Sequence, residues 1–376
     1  SGARQPQDCY SLVPCTREMA TAGGGIDGGG LSIPRGGPIP PRGQRYPGIH
    51  AIEVYVPRHC VQADALEVEH NCKGKYTEGL QMRQWGACDE DEDVVSMART
   101  AVRRLVEKQG LAWEDIGMLN VGTESLLDRS KSIKTHLMDL FPPGVFDVEG
   151  VDYYHACYGG TASLFACTNW VGCEAWDGRW AIVVCTDVSD APPQYPFMNG
   201  AACVAMLVGA NAPLHLEGQR HTHMVHAWDF YKPVGWPSMG PIIDGPASME
   251  LYYDCLVACQ SGLVERGEAA WVGAHDHLVF HLGSSPKFVR HAFERALAAA
   301  RGMEVAEVKA VVKEAVGAMA ARVVVGAAAA AGGAPYHPDD AAPGAPAVVA
   351  GNAVAAIAAR AAGDTAANTP EEEAEA

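Results

Sequence analysis

The sequence predicts an α/β fold in which strands and helices alternate along the chain. Segments with the alternating pattern of a strand, such as 50–56 (HAIEVYV), are followed by segments with apolar residues every three or four positions, which is typical of helices. All Trp and Phe residues lie between Trp85 and Phe293, and 376 residues are enough to bury a large core. Such alternation favours a largely parallel sheet covered by helices.

The elements can be predicted in order from residue 50. The next element after the strand at 50–56 is a helix predicted over 93–110. Apolar residues recur there every three or four positions, beginning with Val94, Met97 and Ala98. The acidic run 89–93 precedes that helix, at the end where the helix dipole stabilises carboxylates. We further predict strands over 116–121, 180–186, 202–208 and 277–281, and helices over 130–140, 158–175, 248–258 and from Pro286 onward.

The composition predicts three regions. Residues 1–46 contain the Gly- and Pro-rich run 23–43, which has too few apolar side chains to fold, so we expect a disordered arm there. Residues 47–293 have the composition of a folded domain. Residues 294–376 are expected to form an Ala-rich helix followed by a disordered acidic tail.

The overall charge limits the classes of partner. The formal net charge is −17 and the pI about 5.2, which argues against binding to nucleic acid or to an anionic membrane. An anionic substrate would therefore need a local basic patch. No run of apolar residues is long enough for a membrane span, so we expect a soluble, cytoplasmic protein, with an organellar location left open.

Cys157 is the strongest candidate for a chemical role. It stands where an apolar strand ends and a helix begins, in the segment ACYGGTAS, so its thiol should lie at a helix N-terminus. The helix dipole there favours a thiolate, and Gly159 and Gly160 would let backbone N–H groups approach a developing oxyanion. The alternative is a small buried cysteine at a strand end, which we expect for most of the other 11 cysteines.

The sequence offers little support for a metal or nucleotide site. His221, His223 and His226 lie close together in HTHMVH, but an isolated group of histidines is a weak metal signal. No glycine motif with the spacing of a phosphate-binding loop is present. We expect no metal and no cofactor.

Several stretches resemble the 3-hydroxy-3-methylglutaryl-CoA synthase family of the thiolase superfamily. They occur in the family's order and together span roughly residues 47–295. This resemblance implies a thiolase-like layered αβαβα fold. The stretches are GIHAIEVYVP (48–57), KYTEGL (75–80), VGTESLLDRSKSIKTHLM (121–138), ACYGGTAS (156–163), WDGRWAIVVCTD (176–187), THMVHAWDFYKP (222–233) and VFH (279–281).

The resemblance implies three catalytic residues. Cys157 corresponds to the nucleophile that accepts an acetyl group, and Glu124 to the base that removes a proton from the acetyl methyl. His281 corresponds to the residue that positions and polarises acetoacetyl-CoA. Without the resemblance, Glu124 is more simply interpreted as a helix cap, and His281 as a hydrogen-bonded core histidine.

The resemblance also implies supporting residues and partners. Asp128, Asp187 and Asp229 fall on positions that support the site by hydrogen bonding. Lys75 and Lys287 fall on positions that meet the phosphates of CoA, although Lys287 could be an ordinary solvated lysine, and Ser238 falls near the substrate's acyl portion. We expect acetyl-CoA and acetoacetyl-CoA as substrates, and a homodimer.

The sequence departs from the family pattern in three places. The loop over 189–202 replaces the family's acyl-pocket loop. The segment before Lys287 is one residue longer, and His291 stands where a second Lys is usual. Motifs of the family's second half are not found. We therefore expect an incomplete second half, from an incomplete or wrongly joined gene model or, alternatively, in a divergent paralogue; the chain begins with Ser1 rather than Met.

The resemblance thus implies a Claisen-type condensing acyltransferase that makes 3-hydroxy-3-methylglutaryl-CoA through an acetyl-Cys157 intermediate. Two alternatives remain open. The chain could be a catalytically impaired paralogue that binds CoA or dimerises with an active partner. It could also act in polyketide branching, on an acetoacetyl group carried by a carrier protein.

Overall fold

The computed structural model describes residues 13–14, 41, 43–191, 195–233, 241–268, 275, 277–281 and 286–313. This part of the chain forms two compact units. The first unit contains the described residues up to Gly218, together with Pro241. The second contains Gln219–Pro233 and the described residues from Ile242 onward.

Strands and helices alternate through the first unit, and helices dominate the second. In chain order, the first unit contains β1 (Val13–Pro14), β2 (Gly48–Tyr55), β3 (His59–Gln62), α1 (Ala63–Glu69), a π-helix (Lys75–Gly79), β4 (Gln84–Ala87), α2 (Val94–Gln109), β5 (Ile116–Gly122), α3 (Ile133–Leu137), β6 (Asp152–Tyr153), α4 (Gly159–Gly172), β7 (Trp180–Ser189), β8 (Gly200–Gly209) and β9 (Leu214–His215), with short 3₁₀ turns at Trp113–Asp115, Met138–Leu140 and Pro196–Met198. The second unit contains β10 (Phe230–Tyr231), β11 (Ile242–Ile243), α5 (Gly245–Glu265) and α6 (Pro286–Arg301), and residues 305–313 are also helical.

A six-stranded mixed sheet forms the centre of the first unit. Its strand order is β6-β5-β7-β8-β2-β9. β6, β5 and β7 are parallel, whereas β7 with β8, β8 with β2 and β2 with β9 are antiparallel. The prediction of a largely parallel sheet is therefore wrong. The described part of the connection from β7 to β8 contains no α-helix to carry the chain back across the sheet, so the two strands pair as neighbours running in opposite directions.

Helix α2 covers one face of this sheet, as its sequence predicts. Asp93 is the N-cap residue, and its side chain accepts a hydrogen bond from the Ser96 backbone N–H while the Ser96 hydroxyl accepts one from the Asp93 N–H. The apolar stripe of Val94, Met97 and Ala98 is fully buried. The helix-cap interpretation of the acidic run is thus confirmed for Asp93.

Helix α4 belongs to a second apolar cluster of the first unit. Its Cys167 and Val171 are completely buried together with Met118 of β5 and Val183 of β7. The predicted helix over 158–175 is confirmed, although it ends at Gly172. The sheet therefore has a helix that begins close to the ends of its parallel strands.

The second unit is built around α5 and α6. Tyr253 of α5 packs against Phe288 and Ala292 of α6, and the rings of Tyr253 and Phe288 are stacked with centroids 5.4 Å apart. The predicted domain boundary after residue 293 falls inside α6, where Ala296 and Leu297 are buried in one cluster with Val308 and Val312.

Residues 277–281 correct another prediction. They have no regular secondary structure, although their apolar pattern predicts a strand. The side chains of Leu278 and Phe280 pack into clusters with α5 instead of pairing in a sheet. The proposed arm falls mostly outside the described residues, and so does the tail beyond residue 313. In the described part of the chain, no helix combines the length and the apolar character that crossing a membrane requires.

Candidate active site

Cys157 lies two residues before Gly159, where helix α4 begins. Ala156, directly before it, has a φ of 42°, in the left-handed region that non-glycine residues seldom occupy. The Tyr158 and Gly159 N–H groups donate to the carbonyls of His155 and Ala156, which closes a tight bend. The bend leaves the Cys157 side chain exposed at the start of the helix, as the sequence predicts.

Two glycines let the start of α4 approach the sheet closely. A Cβ atom on Gly122, the last residue of β5, would collide with the backbone nitrogen of Gly160. A Cβ atom on Gly160 would lie 2.7 Å from the Sγ atom of Cys185 in β7. The sequence assigns the glycine pair to oxyanion binding, whereas the structure shows a packing reason for Gly160.

Glu124 is the direct partner of the candidate nucleophile. It follows β5 by two residues, and its Oε1 atom accepts a hydrogen bond from the Cys157 thiol, with 3.1 Å between sulfur and oxygen. Glu124 is partly buried and Cys157 is exposed, so a small molecule can reach the sulfur from solvent. The structure therefore brings together two of the three predicted catalytic residues.

Asp187 holds the backbone around Glu124. Its Oδ1 atom accepts hydrogen bonds from the Glu124 N–H at 2.7 Å, the Ser125 hydroxyl at 3.0 Å and the Thr123 hydroxyl at 3.2 Å. Three consecutive residues of the β5–α3 loop are thus fastened to the end of β7. Thr123 and Ser125 were not predicted from the sequence, and the signal that could have found them is the pair of hydroxyl residues flanking Glu124.

Asp187 and the interior cysteines are largely buried, whereas Cys157 is exposed. Burial raises the pKa of Asp187, and the hydrogen bond from the Glu124 N–H opposes that shift. Burial also raises the pKa of Cys185 to about 11 and those of Cys167 and Cys203 to about 12. These interior thiols remain protonated near neutral pH, which makes them poor nucleophiles.

Two further predicted residues of the first unit lie on loops. Asp128 accepts hydrogen bonds at 2.7 Å from the N–H groups of Ser130 and Lys131, which lower the pKa of its carboxyl group. It therefore organises its own turn. Lys75 is exposed at the start of the π-helix, with its Nζ atom 5.4 Å from the centre of the Tyr76 ring.

The remaining predicted residues belong to the second unit or fall outside the description. His281 is exposed, and its carbonyl accepts a hydrogen bond at 3.3 Å from the Tyr252 hydroxyl of α5. The carbonyl of Asp229 accepts one at 2.7 Å from the Asp244 N–H. Lys287 is exposed in the first turn of α6. Ser238 lies outside the described residues.

A cavity of about 360 Å³ borders the Glu124 loop. Val188 lines it and exchanges hydrogen bonds with the Ser125 hydroxyl, at 3.0 Å through its carbonyl and 3.1 Å through its N–H. Ser189 and Asp190, the first residues of the loop that departs from the family pattern, also line this cavity. Among the described residues, no group of three or more His, Cys, Asp or Glu side chains could hold a metal ion.

Comparison with known proteins decides the family. Residues 44–213 match the family described as hydroxymethylglutaryl-coenzyme A synthase N terminal, and residues 214–312 match hydroxymethylglutaryl-coenzyme A synthase C terminal. The chain belongs to the hydroxymethylglutaryl-CoA synthase family. Its mixed α/β architecture is the thiolase-like fold of that family.

Known hydroxymethylglutaryl-CoA synthases show how much of the family the chain covers. It is 47% identical over 232 residues to the mitochondrial hydroxymethylglutaryl-CoA synthase of Sus scrofa, a match that covers 60% of this chain and 45% of that protein. With the cytoplasmic synthase of Gallus gallus it shares 45% identity over 232 residues, covering 60% of this chain and 44% of the relative. The chain thus spans about half the length of the curated relatives it matches.

A solved structure extends the comparison to the fold. The structure described as MvaS in complex with 3-hydroxy-3-methylglutaryl coenzyme A superposes with a TM-score of 0.63 at 31% sequence identity. The match covers 68% of this chain and 64% of the MvaS chain.

Proposed function

We propose that this member of the hydroxymethylglutaryl-CoA synthase family condenses acetyl-CoA with acetoacetyl-CoA and water to give 3-hydroxy-3-methylglutaryl-CoA. The observation that carries the proposal is the 3.1 Å hydrogen bond between the Cys157 thiol and the Glu124 carboxylate. The names of the relatives and the ligand of MvaS support this substrate class. The reaction needs no cofactor beyond the two CoA thioesters.

The first step is acetyl transfer to Cys157. The Cys157 sulfur, which gives its proton to Glu124 through the hydrogen bond between them, attacks the thioester carbonyl of acetyl-CoA. The bond from that carbonyl carbon to the CoA sulfur breaks, and CoA leaves as the thiol with the proton that Glu124 took from Cys157, which returns Glu124 to its carboxylate form. The exposure of Cys157 and its place before α4 suit this step, because the helix dipole stabilises negative charge there.

The second step forms the carbon–carbon bond. Glu124 removes a proton from the acetyl methyl, which the thioester makes acidic, and the carbanion attacks the ketone carbon of acetoacetyl-CoA. His281 positions that substrate and supports the oxygen that becomes negative. That oxygen then takes the proton that Glu124 removed from the methyl group. Water then hydrolyses the bond to Cys157, which releases the product and restores the thiol.

Product formation tests this proposal. The full chain is incubated with isotopically labelled acetyl-CoA and acetoacetyl-CoA, and labelled 3-hydroxy-3-methylglutaryl-CoA is measured by mass spectrometry. We expect product with wild type, none with Cys157→Ser, and a loss of about a hundredfold with His281→Ala. A folded wild type that makes no product while it accepts acetyl on Cys157 would support an impaired paralogue. A preference for carrier-bound over free acetoacetyl-CoA would support polyketide branching.

The predicted homodimer and cytoplasmic location are part of the proposal. Family membership supports dimerisation, and sedimentation velocity of the full chain would test it. The relatives include both mitochondrial and cytoplasmic proteins, so fractionation of cells that express the chain decides between the two locations.

A further inference from the structure

His281 lies at the end of a described segment, 277–281, that has no regular secondary structure. The side chains of Leu278 and Phe280 pack into the clusters beside α5, whereas Val279 is 97% exposed. His281 is exposed as well. Neither a helix nor a sheet holds its backbone, so a precise role for His281 requires another anchor.

Tyr252 of α5 provides such an anchor. Its hydroxyl donates a hydrogen bond to the His281 carbonyl, with 3.3 Å between the two oxygens, and the centroids of the two rings lie 6.3 Å apart. The Tyr252 ring also contacts Phe288 of α6, with centroids 4.7 Å apart. Burial raises the pKa of Tyr252, so its hydroxyl keeps the proton that it donates near neutral pH.

Tyr252 and His281 also line the same cavity, which has a volume of about 500 Å³. Leu256 and Phe280 are among the apolar residues of its wall. A shift of the His281 backbone would therefore move this residue relative to any ligand in that space.

The neighbouring Tyr253 offers an internal comparison. Its side chain is 4% exposed and its ring stacks on Phe288, so both tyrosines contribute a ring to the contact between α5 and α6. The Tyr253 hydroxyl is buried and has no hydrogen-bond partner among the described residues. The two tyrosines thus differ in that the Tyr252 hydroxyl binds the backbone of His281.

We propose that Tyr252 is a positioning residue that fixes the backbone at His281, so that His281 can orient acetoacetyl-CoA in the condensation step. Tyr252 acts through the His281 carbonyl and not on the substrate. A group that takes part in a reaction must stay within about 0.5 Å of its working position, which an exposed, irregular segment does not ensure by itself. The inference rests on the proposed function, because the role of His281 belongs to that proposal.

The test removes one hydroxyl and follows the two steps separately. Tyr252→Phe keeps the ring that packs on Phe288 and loses only the hydrogen bond to His281. We expect it to lower kcat/KM for acetoacetyl-CoA about fivefold, as the loss of one hydrogen bond does, and to accept acetyl on Cys157 at the wild-type rate.

Two comparisons make the test specific. Tyr253→Phe is the matched control, because its hydroxyl has no partner in the described part of the chain, and it should condense at the wild-type rate. In a chain that already carries His281→Ala, Tyr252→Phe should cause no further loss, because both changes act on one group. A further fivefold loss in that background would show general support of the fold and overturn the inference.

A measurement without turnover keeps the inference separate from the function. In the full chain with ¹⁵N-labelled histidine, the ring signals of His281 are those that His281→Ala lacks. They should shift in Tyr252→Phe and stay unchanged in Tyr253→Phe. Unchanged signals and wild-type condensation in Tyr252→Phe overturn the inference alone. A wild type that accepts acetyl but makes no product contradicts the proposed function, and the His281 signals then decide whether Tyr252 positions this residue.

Discussion

Glu124 acts on two different protons in the proposed reaction, and this difference can be measured at a single residue. In the free enzyme its Oε1 atom faces the Cys157 thiol at 3.1 Å. Once the sulfur carries an acetyl group, we expect the same oxygen to take a proton from the acetyl methyl. Cys157 lies just before a helix N-terminus, where the helix dipole stabilises negative charge that develops on the sulfur even without Glu124.

Replacement of Glu124 should therefore separate the two steps. We expect Glu124→Gln to accept labelled acetyl on Cys157 but to lose about 10²- to 10⁴-fold in condensation, because the carbanion needs a base in reach. Mass spectrometry of the acetyl-enzyme and of the product measures the two steps in one sample. If condensation proceeds at the wild-type rate, Glu124 is not the base and a neighbour such as Asp128 takes its place as the candidate.

Glu67 leads to a second prediction at the residue scale, on acid stability. The pKa of its carboxyl falls from 4.5 to about 2 in the folded state, chiefly through the Thr77 N–H. A lowered folded pKa stabilises the protein above the unfolded value, and this contribution is lost as the pH falls from 4.5 towards 2. Wild type should be more stable to urea than Glu67→Gln at neutral pH, and the difference should shrink over that interval. A difference that stays constant with pH would contradict the assignment.

At the scale of elements, the close approach of α4 to β5 places the nucleophile. Gly122 permits that approach, since a Cβ atom there would meet the Gly160 nitrogen. We expect Gly122→Ala to lower the free energy of unfolding by about 1–3 kcal/mol, as overpacking does, and to slow acetylation of Cys157 because the start of α4 must move. Gly172 ends the same helix with open space around it, so Gly172→Ala is the matched control. Urea unfolding and acetyl labelling of both variants check this; equal effects would contradict it.

The elements also show what a sequence can predict. The helix α2 and its cap at Asp93 were predictable, because a local stripe and a local cap signal agree. The antiparallel pairing of β7 with β8 was not, since pairing direction depends on how the chain returns across the sheet. The pattern at 277–281 resembles a strand only because its apolar residues meet α5 at alternate positions.

The site was predicted less completely than the fold. Cys157 and Glu124 are 33 positions apart, and only the family resemblance related them before the 3.1 Å contact was seen. Thr123 and Ser125 flank Glu124 in the sequence, but local sequence does not show what their hydroxyl groups bind, because their partner Asp187 comes from a different strand. A network that the tertiary fold assembles cannot be predicted from local patterns.

At the scale of the whole molecule, the part of one sheet face that β2 forms is apolar and exposed in the described part of the chain. Ile52 and Val54 of β2 are 52% and 53% exposed, and Val56 beyond the strand is 42% exposed. Glu53, between them, points to the other face and binds Lys108 of α2 at 2.6 Å. Exposed apolar area of this kind favours self-association.

A charge on this face should reduce association. We expect Val54→Lys to bind less hydrophobic dye than wild type and to sediment with less dependence on protein concentration. Val68→Lys is the matched control, because Val68 is 82% exposed on helix α1 and belongs to another surface. Dye fluorescence and sedimentation velocity provide the comparison, and a similar response from both variants would contradict the role of the β2 face.

The first unit alone should carry a complete acetyl-accepting site. Cys157, Glu124 and Asp187 all lie in that unit, whereas His281 belongs to the second. Acetylation should therefore occur in this chain even though it spans about half the length of its relatives. In the proposed reaction, condensation additionally requires His281, which positions acetoacetyl-CoA.

The most direct test is the mass of the protein after incubation with labelled acetyl-CoA, followed by peptide mapping of the labelled cysteine. We predict one labelled acetyl group per chain, held as a thioester on Cys157 and lost in Cys157→Ser. A folded chain that remains unlabelled, or that carries the label on another cysteine, would contradict the claim.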